Sequence, residues 1–372
     1  EAVYLADPTN LEAKEKLAQN YYVTARTLWF TNRTEEAAAF YKMGIKLRRE
    51  LVAASPDSAE ANNGLAITLI NAGAIPEFSY KTTEALVYFD EALAIIKKMR
   101  AEHPENRDLK KTLSLNLMFL GRTKAALKEY DGALDYLQQA LAIKKDLAKG
   151  FPQDFGLQRD VWVSQKQVCQ FFINKDDGPG AVPACLPTTE FPRLALGREP
   201  ENATVQHDLS VSQWDVARAF NLAKNYSGAQ DAASEAITTI SELIKKLPGN
   251  PNYQRYLAIF LTAKGEASLG LKQFDPALAT LREAEDILGR LSELDPASTS
   301  HQWDLSGVYR LAAAAHFGKG EKAEAIENIE KAIVIVQALA KLDALSGSDD
   351  KILAELEAEK SRMQQDLVAP DA

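Results

Sequence analysis

Prolines stand at Pro8, Pro56, Pro104, Pro152, Pro200, Pro248 and Pro296, and every gap is 48 residues. The next place in the series holds Ala344, in an Asp-Ala that replaces Asp-Pro. A repeat this strict limits the fold more than any local preference does. The chain must be a row of like units, and no unit of this kind buries its apolar face alone. The period predicts a single domain of units 8–55, 56–103, 104–151, 152–199, 200–247, 248–295 and 296–343, closed by an end piece, 344–372.

Fixed columns run through the units. Nine residues past the proline come Leu17, Leu65, Leu113, Val161, Leu209, Leu257 and Leu305, then Leu353 in the end piece. Further on come Ala25, Gly73, Gly121, Cys169, Ala217, Gly265 and Ala313. Ala37, Ala85, Ala133, Ala181, Ala229, Ala277 and Ala325 follow without exception, then Gly44, Ala92, Ala140, Thr188, Ala236, Ala284 and Ala332. Small side chains at fixed places let two backbones approach closely. Leu278, Leu281, Leu288 and Leu291 have helical spacing. Each unit therefore reads as two helices, A and B. The proline stops the second, and Pro-x-Asn or Pro-x-Asp supplies the cap of the next.

On these residues the chain resembles the tetratricopeptide repeat family. Gly265, Ala277, Ala284 and Pro296 match its landmarks, and Tyr130, Tyr226 and Phe274 match its aromatic before helix B. The repeat is longer, 48 residues against about 34. The excess divides evenly between the helices, about two turns each, which keeps the buried face in place. The resemblance implies an all-α fold: a solenoid superhelix of seven antiparallel helix pairs with a C-terminal capping helix, its concave side lined by helix A.

Two units depart from the pattern. In the second, Pro76 is expected to end helix A early. In the fourth, Pro179, Pro183, Pro187 and Pro192 fall in the helix B region, and an interior proline costs a helix about 3 kcal/mol. This predicts a helix B broken into short pieces with extended links, while Pro200 still falls on register. The break reads either as drift tolerated by its neighbours or as a hinge or ligand groove. From about Ser348 to Leu367 the end piece reads as one amphipathic helix. Glu1 to Pro8 reads as the tail of a preceding helix B, and the chain is expected to be part of a longer protein.

The formal net charge is −9. Lys+Arg against Asp+Glu is 24 against 24 over residues 1–177 and 19 against 28 over 178–372, so the deficit lies in the second half. That disfavours nucleic acid, which needs a basic face. No apolar run is long enough to span a membrane, no signal peptide is present, and a cytoplasmic location is expected, with the periplasm as the alternative. His103, His207, His301 and His316 have no metal spacing, and no catalytic or phosphate-loop motif is present. No catalytic residue, metal or cofactor is expected. Cys169 and Cys185 are expected as buried thiols, or as a disulfide in an oxidising compartment.

The binding constellation is expected on helix A. Arg26, Arg122 and Arg218 recur at one place in alternate units, each four residues after a large side chain, Tyr22, Met118 or Trp214. An i, i+4 pair shares a helix face. With Trp29, Phe119 and Asn221 nearby, these form a candidate groove, since Arg beside aromatics is typical of binding hot spots and can hold a carboxylate at two points. Core packing is the competing reading. The family's carboxylate clamp of Lys and Asn is not reproduced.

The expected function is a non-catalytic scaffold or sensor that binds a protein, a peptide or a companion domain. His207-Asp208-Leu209-Ser210 and Trp303-Asp304-Leu305-Ser306 resemble long arrays fused to bacterial signalling enzymes such as Ser/Thr kinases. The alternatives are a small-molecule sensor closing around unit four, and an all-helical enzyme, which would need clustered carboxylates that the columns lack.

Overall fold

The structure is a computed structural model that describes residues 7, 9–31, 33–78, 81–342 and 350–368. The N-terminal stretch expected as a helix tail, apart from Asp7, lies outside the described residues, as do Ala344 and Ser348. The described residues are almost all helical, with no strand among them.

The helix pairs start at constant places in the period. The first pair is α1 (Leu11–Phe30) and α2 (Thr34–Ala54), the second α3 (Ala59–Phe78) and α4 (Thr82–Glu102), the third α5 (Arg107–Ala126) and α6 (Tyr130–Lys149). The fourth opens with α7 (Phe155–Asn174). Its second helix comprises α8 (Gly178–Cys185), a 3-10 turn (Leu186–Thr189) and α9 (Glu190–Arg198). Then come α10 (Ala203–Leu222) with α11 (Tyr226–Lys246), α12 (Pro251–Gly270) with α13 (Phe274–Leu294), and α14 (Thr299–Lys319) with α15 (Lys322–Lys341). The closing helix is α16 (Asp350–Val368).

Local chemistry sets these boundaries. The proline of the period stands inside a four-residue turn, closed for example by Asn106 N–H to the His103 carbonyl at 3.1 Å and Asn202 N–H to Glu199 at 3.1 Å. Proline suits the second place of such a turn because its φ is already set. The residue two past the proline then caps the next helix. Asn10, Asn106, Asn202, Asn250 and Ser298 each accept a backbone N–H of the first turn. Ser58 and Asp154 do the same, at 3.2 and 3.0 Å. Each cap satisfies an otherwise orphan donor.

The turn inside each pair is also constant. Lys128, Asp176, Lys224, Lys272 and Gly320 hold the same place in pairs three to seven, and all have left-handed φ, between 57° and 82°. The N–H of the following residue reaches back five positions, as in Asn225 to Phe220 and Gln273 to Ser268, both 2.9 Å. This is a Schellman closure. In pair two Lys81 N–H reaches the Pro76 carbonyl in the same way, at 2.7 Å. Pro76 therefore does not end its helix early. It sits in the last turn of α3, which runs on to Phe78, and its carbonyl closes the turn.

The fourth pair corrects a second expectation. The pieces follow one another without extended links, since Leu186 and Glu190 keep right-handed helical angles. Pro179, Pro183 and Pro187 are four apart, so the lost N–H groups fall along one stripe, and Pro179 and Pro183 are exposed to water. At the 3-10 turn two hydroxyls stand in for missing donors: Thr188 Oγ1 donates to the Cys185 carbonyl at 2.7 Å and Thr189 Oγ1 to Leu186 at 3.1 Å. Pro192 is buried in α9. The register survives. Arg193 on α9 reaches Glu235 of the next second helix at 2.7 Å, 42 residues away. Arg49 reaches Glu91 between pairs one and two at the same separation, also 2.7 Å.

By packing, the chain divides into two compact units, Glu1–Phe171 and Phe172–Ala372. In the first, α1 packs on α2, α3 on α4 and α5 on α6, with α2 on α3 and α4 on α5. In the second, α8 and α9 pack on α10, and the alternation continues through α15 to the cap α16. Within each unit neighbouring first helices also touch one another, α3 with α5 and α10 with α12, whereas the second helices make no comparable approach. The first helices thus form the tighter side.

The small columns carry the packing. Ala37, Ala85, Ala133, Ala181, Ala229, Ala277 and Ala325 are all fully buried. Where the first helix has glycine, a large side chain of the second fills the hole: a Cβ on Gly73, Gly121 or Gly265 would lie 2.6–2.8 Å from Phe89, Leu137 or Leu281. Those three hold one place in the period. The same logic places α16, whose Leu356 and Met363 cover Ala332, Ile333 and Val336. Cys169 and Cys185 are both fully buried, and neither is free: both are disulfide-bonded, which replaces the expectation of thiols.

Candidate functional site

In the second unit the first helices α10 and α12 bring five polar or aromatic groups together. Trp214 is half-buried against Phe260, with ring centroids 5.9 Å apart. One turn on, the Arg218 guanidinium carbon lies 4.8 Å from the centre of the Trp214 ring, within cation–π range. Arg218 makes no hydrogen bond or ion pair within bonding distance to any described residue. Burial pushes its guanidinium below the ordinary arginine range, and Asp215, Glu266 and Asp176 pull it back up.

Asn221 is buried and ties the two helices together. Its Nδ2 donates to the Ala263 carbonyl and to Glu266 Oε2, both at 3.0 Å. Glu266 holds in pair six the place that Arg218 holds in pair five. Its carboxylate reaches solvent, yet the enclosing wall lifts its pKa above the ordinary value, while Asn221 and Arg218 oppose the shift. The arrangement is a cation laid on an aromatic face, with a carboxylate of raised basicity beside it.

The first unit holds the other expected residues. Tyr22 and Trp29 are half-buried against the same core that takes Met118 and Phe119. Tyr22 meets Tyr41 edge-on at 6.2 Å. Burial pushes the Tyr41 hydroxyl well above its usual range, Tyr22 adds to this and Arg26 opposes it. Arg26 itself is exposed. Arg122 lies over the ring of Phe119 at 5.6 Å, and Phe119 stacks on Phe89 at 5.2 Å. Its aromatic partner is therefore the residue three before it, where the sequence spacing suggested Met118.

Glu266 and Phe260 are the additions that sequence reading missed. The signal for Glu266 was present, since it stands in the arginine column with opposite charge. Among the described residues no group of three His, Cys, Asp or Glu side chains is close enough to hold a metal ion. No helix among them is long and apolar enough to cross a membrane.

The tetratricopeptide repeat family model matches residues 117–149, the end of α5 and all of α6. No curated protein matches the sequence. Among solved structures, the chain is similar to the apo form of RapI, with a TM-score of 0.55 at 11% identity, over 87% of this chain and 99% of that one. It is also similar to aspartyl phosphate phosphatase F from Bacillus subtilis, with a TM-score of 0.50 at 15% identity, over 94% of this chain and 84% of that one. At such identities the likeness speaks for the fold alone. Residues 117–149 are thus similar to a tetratricopeptide repeat, and Gly121, Ala133 and Ala140 there stand in the columns that run through the other pairs.

Proposed function

We propose that this chain is a non-catalytic interaction module that binds a protein or peptide on the side formed by its first helices. The observation that carries this reading is Arg218, held over Trp214 with no hydrogen-bonding partner among the described residues. An arginine so placed has its orientation already fixed and keeps its N–H fork for a carboxylate or a main-chain carbonyl. The first unit by itself holds residues of the same kind on its first helices: Tyr22, Arg26 and Trp29, and Met118, Phe119 and Arg122. The likeness to long arrays of bacterial signalling proteins supports a regulatory role, with a larger protein as the setting. The bonded cysteines favour an oxidising compartment over the cytoplasm.

The test is affinity capture from the source organism, with the captured protein identified and its affinity then measured. Arg218→Glu is expected to weaken that partner by at least about 30-fold, the scale of a hot spot of 2 kcal/mol. Changing Arg26 and Arg122 to Glu as well is expected to abolish capture. The same partner held with unchanged affinity by both variants removes the proposal.

A further inference from the structure

The second helices of pairs one and two, α2 and α4, leave a groove of about 540 Å³ between them on the side away from the first helices. Its floor is Ile45 and the half-buried ring of Tyr88. One wall is Val87, which is 66% exposed. In the other six pairs the place of Val87 holds Ala39, Asp135, Pro183, Asp231, Ala279 or Glu327. A large aliphatic side chain facing water at that place is thus peculiar to this groove.

The charges along the groove are unequal. Lys42, Lys46 and Arg49 line it from one helix face, against Glu50 and Glu91. Both carboxylates are already neutralised: Glu91 by Arg49 at 2.7 Å, and Glu50 by Lys14 at 2.8 Å. Lys42 and Lys46 have no carboxylate partner among the described residues. The groove therefore presents two unspent cations, one helical turn apart, beside an apolar strip, on a chain whose net charge is −9. No other pair has lysine at both places; pair two has Asp90 and Ala94, pair six Arg282 and Asp286.

We propose that this groove is a second docking site, distinct from the first-helix surface, and that it takes an acidic amphipathic helix of a partner protein. The partner lays an aliphatic side chain against Val87 and Ile45 and sets two carboxylates, one helical turn apart, on Lys42 and Lys46. Helix-in-groove recognition uses this combination of apolar anchors and flanking charge. Two cations are too few to hold a nucleic-acid backbone against the net negative charge of the chain.

The test uses the full chain and a fluorescein-labelled helical peptide of about 20 residues, long enough to be helical. It is built from Leu, Glu and Ala, with Glu at i and i+4 along one edge of a leucine stripe. A control peptide has Lys in place of Glu. Anisotropy is expected to show binding of the acidic peptide only. Lys42→Glu with Lys46→Glu should weaken it at least tenfold, and so should Val87→Asp, while Arg218→Glu leaves it unchanged. The doubly reversed variant should take the basic peptide instead. Lys42, Lys46 and Val87 are exposed, so the melting temperature should hold for their variants. No binding of the acidic peptide, or binding indifferent to the lysine pair, overturns the proposal. Sensitivity to the lysines without sensitivity to Val87→Asp also overturns it, because bulk charge alone would then account for the binding.

Discussion

Ala277→Leu is expected to destabilise the chain by about 3 kcal/mol, the upper range for overfilling a packed core. Ala277 is fully buried where α13 crosses α12, within a core of Ala258, Leu261, Leu278 and Leu281. The added isobutyl group meets that core directly. The neighbouring first helix has glycine at Gly265, where Leu281 already fills the space a Cβ would take. The second helix can relieve the clash only by moving away, which opens the contact along its whole length. In a unit of about 200 residues each kcal/mol moves the midpoint by about 2–4 °C, so calorimetry should show a fall of about 6–12 °C. Ala279→Leu, on the exposed side of the same helix, is the control and should change little. Equal, small effects of both substitutions would mean that the alanine column is not a packing seam.

Gly178→Ala should cost a similar amount for a different reason. A Cβ there would lie 2.5 Å from the Leu222 carbonyl carbon and from the Ala223 nitrogen, and 2.6 Å from the Leu222 oxygen. All three are backbone atoms at the end of α10, so no side-chain rotation makes room. The start of α8 would have to leave α10, at a cost of about 3 kcal/mol. Gly289→Ala, inside α13, should do the opposite. Nothing lies within 4 Å of a Cβ there, and alanine is the better helix former by about 1 kcal/mol. The two substitutions should move the midpoint in opposite directions. If Gly178→Ala is stabilising, α8 does not lie on α10 as described.

Most of the fold was legible because the period repeats its own evidence. The prolines mark the turns, the residue two further on caps the next helix, and the alanine columns mark the seam. Each of these has a chemistry that a residue name carries. The turn inside the pairs was not legible, because lysine occupies the left-handed position in Lys128, Lys224 and Lys272. A non-glycine residue there costs roughly 1–2 kcal/mol, and sequence gives no hint that packing on both sides imposes it. The proline-rich second helix of pair four misled for a related reason. The prolines do divide that helix, into α8, a 3-10 turn and α9, but Pro179 and Pro183 face water and the pieces follow one another on helical angles where extended links were expected.

The candidate site was legible in its arginine column and its aromatic neighbours, less so in its pairings. Asn221 reads as a surface residue by type, yet it is spent on joining α10 to α12. Links between pairs escaped notice because they are spaced by one period plus one residue. Arg255 meets Asp304 at 2.6 Å, and Thr112 meets Asn63 at 3.2 Å, each 49 residues apart. Such links follow from stacking and cannot be seen within one helix.

The most direct test of interchangeable stacked pairs is to delete residues 248–295, one whole period, and to follow unfolding by circular dichroism. Leu247 then meets Pro296 as it met Pro248, and α11 meets α14 in place of α12. The predicted result is a cooperative transition with helix content lowered by one pair, while deletion of 248–271, the first helix alone, abolishes cooperativity. Loss of cooperative unfolding on removing the full period would contradict the account.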